Sequence, residues 1–86
     1  MTREDSIRKE ILFQAYAVRP LMVGASRMER DARKSGYDFL RIEIVREVQF
    51  LADEKLLVAE SQPGSTEKLY RISGEGVRHY EQNYAA

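Results

Sequence analysis

Cysteine is absent from the 86 residues, which removes disulfides, thiolate zinc fingers and cysteine nucleophiles together. Histidine occurs once, as His79, and proline twice, so neither a histidine metal cluster nor a proline-rich linker is available. No apolar run approaches the roughly 18–20 residues that a membrane span requires. The opening Met1-Thr2-Arg3-Glu4-Asp5-Ser6 has acidic residues and no apolar stretch, so no secretory signal is expected there. Net charge is missing too: 14 Lys+Arg face 14 Asp+Glu, which disfavours indiscriminate binding to polyanions but permits a local patch. The disorder signature of low hydrophobicity with high net charge does not apply, because 43% of the residues are hydrophobic. The expectation is one small soluble domain, residues 1–86, working in the reducing cytoplasm, with no membrane, metal or cofactor.

What is present is organised by segment. Residues 19–36 carry Arg19, Arg27, Arg30, Arg33 and Lys34 against Glu29 and Asp31, so the basic excess sits there. Thr2-x-x-Asp5 has the form of a capping box. Behind it Ile7, Ile11, Leu12, Ala15 and Val18 fall within an arc of about 140° at about 100° per residue, a core-facing stripe that Pro20 ends. Phe13 and Tyr16 lie outside that arc. A second helix is expected over residues 21–35, with Leu21, Ala25, Met28 and Ala32 on one face, Arg27, Arg30 and Lys34 opposite, and Gly36 closing it.

Asp38 is the expected N-cap of a third helix running to about residue 54. Leu40, Ile44, Val48 and Leu51 form its inner stripe, widened by Val45 and Ala52. Phe39, Ile42, Glu43, Arg46, Gln49 and Phe50 stand on its other side, oddly apolar for a face meeting only water. The period then changes. Residues 56–59 (Leu-Leu-Val-Ala) and 68–72 (Lys-Leu-Tyr-Arg-Ile) read as a hairpin around the turn-forming Pro63-Gly64. Ser73 caps a last helix over residues 75–83, whose Val77 and Tyr80 share a face with Tyr84.

The order helix, helix, turn, helix, hairpin, helix resembles a winged helix-turn-helix. Ile44, Val48 and Leu51 match the inner positions of that family's recognition helix. Leu56-Leu57-Val58 stands where the family has Gly-Leu-Val. Tyr70-Arg71-Ile72-Ser73-Gly74-Glu75-Gly76 resembles the Tyr-x-Leu-Thr-x-x-Gly that leaves the wing in regulators of the multiple-antibiotic-resistance and phenolic-acid-regulator types. Lys55 departs from the pattern, occupying the usual glycine position, and a left-handed lysine is disfavoured; the third helix is therefore open to a different ending. The resemblance implies an α+β, mostly helical fold: a three-helix core, a hairpin wing of two or three strands, and a short C-terminal helix. A third strand would fall around residues 19–21.

It also implies double-stranded DNA as partner and a role as a small transcriptional regulator, with the third helix in the major groove. Arg27, Arg30 and Lys34 suit phosphates, against the competing account of a solvated helix face. Arg41 and Arg46 are candidates for guanine edges. Either has another use, Arg46 in pairs with Glu43 or Glu47 and Arg41 at the core edge. Glu43 is a candidate acceptor from cytosine, yet Glu43 and Glu47 near that face would repel phosphates. Ser65, Thr66 and Lys68, with Arg71, are placed to reach the DNA backbone or to form an ordinary hairpin rim. Tyr37 either donates to a phosphate or staples the second and third helices.

The alternative is a protein-interaction module using outward Phe39, Ile42 and Phe50, which zero net charge and the two glutamates favour. Catalysis is not expected: His79 has no ligand companions, Gly74-x-Gly76 lacks the rest of a nucleotide-binding motif, and so short a chain has little room for a pocket beside its core. Finally, Phe13 and Tyr16 with Val77, Tyr80 and Tyr84 are expected to form a homodimer interface, unless the two sets cover each other within one chain.

Overall fold

The computed structural model describes residues 1–84; the last two residues of the expected domain lie outside them. The fold is α+β and mostly helical, with four helices and a three-stranded antiparallel sheet. α1 spans Arg3–Val18, β1 Val23–Gly24, α2 Ala25–Lys34, α3 Arg41–Asp53, β2 Leu57–Ser61, β3 Lys68–Ile72 and α4 Gly74–Asn83.

α1 opens on the expected capping box: the Thr2 hydroxyl accepts from the Asp5 amide at 3.1 Å, and the Asp5 carboxylate accepts from the Thr2 amide at 3.2 Å. Its stripe of Ile7, Ile11, Leu12 and Ala15 is fully buried against Met28 and Ala32 of α2, Ile44, Val48 and Leu51 of α3, and Leu57, Tyr70 and Ile72 of the sheet. That cluster is the core.

The third strand exists but lies later than expected. Val23 pairs with Tyr70 and Gly24 with Leu69, so the strand order is β1-β3-β2. This pairing holds residues 23 and 24 extended, and α2 begins only at Ala25. The expected start at Leu21 is thereby corrected, and Leu21 is exposed rather than packed. Tertiary pairing overrides the helical periodicity that Leu21 fits.

α3 also starts later. Asp38 does not cap it; Asp38 pairs with Arg3 at 3.2 Å, and Leu40 is the last extended residue before the helix. Without helical turns at 38–40, the assignments of two neighbours exchange: Phe39 turns into the core, stacked on Tyr37 at 4.7 Å, while Leu40 faces solvent. Val45, expected to widen the inner stripe, is 47% exposed.

Both helices of the turn end in one manner. After α2, Gly36 takes φ +94°, the Tyr37 amide donates to the Ala32 carbonyl and the Gly36 amide to that of Arg33. After α3, Lys55 takes φ +64°, the Leu56 amide donates to Leu51 and the Lys55 amide to Ala52. These are Schellman endings. Lysine thus adopts the left-handed conformation that a glycine usually fills, and the different ending left open by the sequence does not occur.

The hairpin pairs Leu57 with Ile72 through to Ser61 with Lys68. Ser73 caps α4 as expected, its hydroxyl accepting from the Gly76 amide at 2.9 Å. A Cβ at Gly76 would run into the Leu56 carbonyl oxygen, so only glycine lets α4 approach the start of the hairpin this closely.

Candidate nucleic-acid interface

α3 packs against both α1 and α2, and its charged residues sort by side. Towards α1, the Glu43 carboxylate accepts from Arg3 at 2.7 and 2.9 Å and from the Leu40 amide at 3.0 Å. These donors, the Arg3 guanidinium first, hold the Glu43 carboxyl down at about 2 and push the Arg3 guanidinium higher still. Glu47 is buried at 2% exposure and accepts from Arg8 at 2.7 Å and Arg46 at 3.1 Å. Arg8 in turn lies over the Phe50 ring, 3.8 Å from its centre. Glu43 is therefore committed to the α1 side and is not free to read a base, and neither glutamate forms the repelling face expected from the sequence.

The solvent side of α3 is left with Ile42, Val45, Arg46 and Gln49. Arg41 sits at the border with α2 and pairs with Glu29 at 2.7 Å. Val45 and Gln49 line a groove of about 250 Å³, whose other walls are Ala25 at the start of α2 and Thr66, Lys68 and Tyr70 of the hairpin. Desolvation raises the Tyr70 phenol there.

Across Glu67 lies a second groove of about 340 Å³, lined by Arg27 and Arg30 with Gly24, Ser26 and Leu69. Glu67 separates the two by a specific contact: its carboxylate accepts from the Ser26 amide at 2.8 Å, which lowers its pKa. It thereby caps the N-terminus of α2, where partial positive charge collects. Gly24 makes the room, since a Cβ there would lie 2.7 Å from that oxygen. No local pattern announces this clasp between residues 41 positions apart in sequence.

The other site candidates divide. Arg27 pairs with Asp31 at 3.3 Å and Arg30 with the same carboxylate at 3.8 Å. Lys34 and Lys68 are exposed, with no carboxylate partner among the described residues. Ser65 accepts from the Glu67 amide at 3.1 Å and so closes the hairpin tip. Tyr37 stacks on Phe39 within the turn between α2 and α3 and stays 39% exposed. The structure thus brings Arg27, Arg30, Arg41, Arg46, Thr66 and Lys68 around α3 and the hairpin, with Lys34 and Tyr37 further along α2 and its turn.

The expected dimer residues pack inside one chain. Tyr16 and Tyr80 lie 4.6 Å apart, Phe13 and Tyr80 6.4 Å, and Tyr80 and Tyr84 5.9 Å. Val77 packs on the core beside them. The Tyr16 hydroxyl donates to Glu81 at 2.8 Å. This is the mutual cover of α1 by α4, and only Phe13 keeps substantial exposure, 47%. A third groove, of about 400 Å³, lies between α1, α3 and α4 and gathers Asp5, Arg8, Phe50, Glu54, His79 and Tyr84.

Comparison with family models, with curated proteins and with solved structures returns no match. No helix among the described residues is long and apolar enough to cross a membrane. No group of three or more potential metal ligands occurs among them either.

Proposed function

We propose that the chain is a winged helix-turn-helix domain that binds double-stranded DNA in a sequence-dependent way, as a small transcriptional regulator of the cytoplasm. In this reading α3 enters the major groove, α2 lies against the phosphate backbone, and the β2–β3 hairpin is the wing. One observation carries it. Glu43 and Glu47 face α1, so the outer side of α3 presents Gln49 and the exposed guanidinium of Arg46, itself paired with Glu47, and is flanked by Arg41, Arg27, Arg30 and Lys68.

The pairs of Arg27 and Arg30 with Asp31 do not oppose it strongly: they lie largely at the surface, worth about 0–1 kcal/mol each, and a phosphate replaces one charged acceptor by another. Arg41 and Arg46 are held more firmly, by the less exposed carboxylates of Glu29 and Glu47. Four phosphate contacts, from Arg27, Arg30, Lys34 and Lys68, imply a slope of about −4 in log affinity against log salt.

The test is fluorescence anisotropy of a labelled random duplex, titrated at about 50 mM salt, where such contacts are strongest. Binding at micromolar protein is expected. The double variant Arg27→Glu, Arg30→Glu should lose it, and single Arg→Ala variants should each reduce the salt slope by about 1. Absence of binding to any duplex would overturn the proposal.

A protein partner is the second reading, favoured by Ile42 at 73% exposure on a chain of zero net charge. Ile42→Glu would abolish such a complex, whereas reversal at Arg27 and Arg30 would leave it intact. Phe39, now seen in the core, is no probe for it.

A further inference from the structure

We infer that Ile42 and Val45 read thymine, seating their side chains against the 5-methyl groups that thymine projects into the major groove. The inference rests on the DNA-binding reading above and adds to it a sequence preference. Ile42 and Val45 stand one turn apart on α3, on the side that also carries Arg46 and Gln49. Exposed branched side chains recover their hydration cost only when something apolar covers them.

The surroundings select what that cover is. Arg46 stands beside Ile42 with 60% of its side chain exposed, and Val45 shares its groove with Gln49, Thr66, Lys68 and the Glu67 carboxylate that caps α2, besides Ala25 and Tyr70. A continuous apolar surface would have to desolvate these polar and cationic groups, at considerable cost. The matching occupant instead offers small, separate apolar groups set among hydrogen-bonding edges, with negative charge along both walls. The major groove at A·T pairs is such a surface, since the thymine methyl lies beside the N6 donor and N7 acceptor of adenine.

Three helical residues advance about 4.5 Å at about 1.5 Å each, which exceeds the roughly 3.4 Å between stacked base pairs, so the two side chains are far enough apart to reach different pairs. One turn further, Gln49 donates from Nε2 to Asp53 at 2.9 Å. That bond fixes the carboxamide and leaves its second N–H and its Oε1 for an adenine edge.

The experiment begins with selection of a preferred duplex from a random library by the intact chain at about 50 mM salt. Each thymine of that duplex is then replaced in turn by deoxyuridine, which removes the methyl group and nothing else. Affinity is expected to fall roughly fourfold at one or two positions, the factor that burying one methyl group carries. Ile42→Ala and Val45→Ala should each erase the difference at its own position. Both residues are exposed, and the variants are expected to keep the circular dichroism of the parent chain, which is checked before titration. Equal affinity for thymine and deoxyuridine at every position, or selection that enriches no sequence, overturns the inference while DNA binding stands. Failure of the chain to bind any duplex overturns the DNA reading itself, and the thymine assignment with it.

Discussion

Glu43 gathers two guanidinium N–H groups of Arg3 and the Leu40 amide, and so ties the start of α3 to the start of α1. Its carboxyl, ordinarily near 4.5, is held at about 2 in the folded chain. Between those values the unfolded chain takes up a proton that the folded chain refuses, so acid favours unfolding across that window. The contribution is complete above about pH 4.5 and is lost as pH falls towards 2. Urea midpoints measured at pH 7, 4 and 2.5 should show wild type losing its lead over Glu43→Gln on the way down. A constant gap between the two would contradict the assignment. Lys55 gives a second test at this scale. A non-glycine residue in the left-handed region costs about 1–2 kcal/mol, and glycine returns part of that gain to the flexible unfolded chain. Lys55→Gly is therefore expected to raise unfolding stability by about 0.5–1 kcal/mol, read by chemical denaturation.

Among the elements, the junction of α2 with the hairpin is the least local. Glu67 caps Ser26 only because Gly24 has no side chain in its way. Glu67→Gln removes the carboxylate from a helix N-terminus and should cost about 0.5–1 kcal/mol. Gly24→Ala should displace the same carboxylate, and the two losses should not add when combined, because both break one contact. Fully additive losses would show that the clasp is not what Gly24 protects. This junction also marks where reading the sequence stops. The capping box at Thr2, the buried stripe of α1, the turn at Gly36, the hairpin and the Ser73 cap are all set by residues within a few positions of one another, and each was legible. Strand β1, the late start of α2, and the inward turn of Phe39 depend on partners far along the chain. So does the direction of Glu43 and Glu47, whose partners Arg3 and Arg8 sit on another helix. Helical spacing placed Ile42, Arg46 and Gln49 on the outer side of α3, but nothing local told which charges that side retains.

For the molecule as a whole, zero net charge does not mean an even surface, since pairing decides which charges remain available. Among the described residues, seven arginines lie within 4 Å of a carboxylate, at positions 3, 8, 27, 30, 33, 41 and 46. The pairs of Arg3 and Arg8 weld α1 to α3 and its turn, and those of Arg27 and Arg30 with Asp31 on α2 stay at the surface. The apolar surface is distributed by the same logic. An 86-residue chain has little core to spare, and the aromatic faces of α1 and α4 are spent on each other. Tyr80, buried between Tyr16, Phe13 and Tyr84, is the centre of that contact, and Tyr80→Ala should cost about 3 kcal/mol. With those side chains occupied, sedimentation equilibrium is expected to show a single species of 10.0 kDa up to about 100 μM, a ceiling on self-association of about −5 kcal/mol. A tighter dimer would require α4 to leave α1 or Phe13 alone to carry the interface. On the proposed DNA-binding reading a monomer would present one α3 to the duplex, whereas a two-fold dimer would present two about one helical turn apart. The duplex selected by this chain should accordingly lack dyad symmetry, and a palindromic site with half-sites spaced by roughly 10 base pairs would return the dimer to consideration whatever the free protein does.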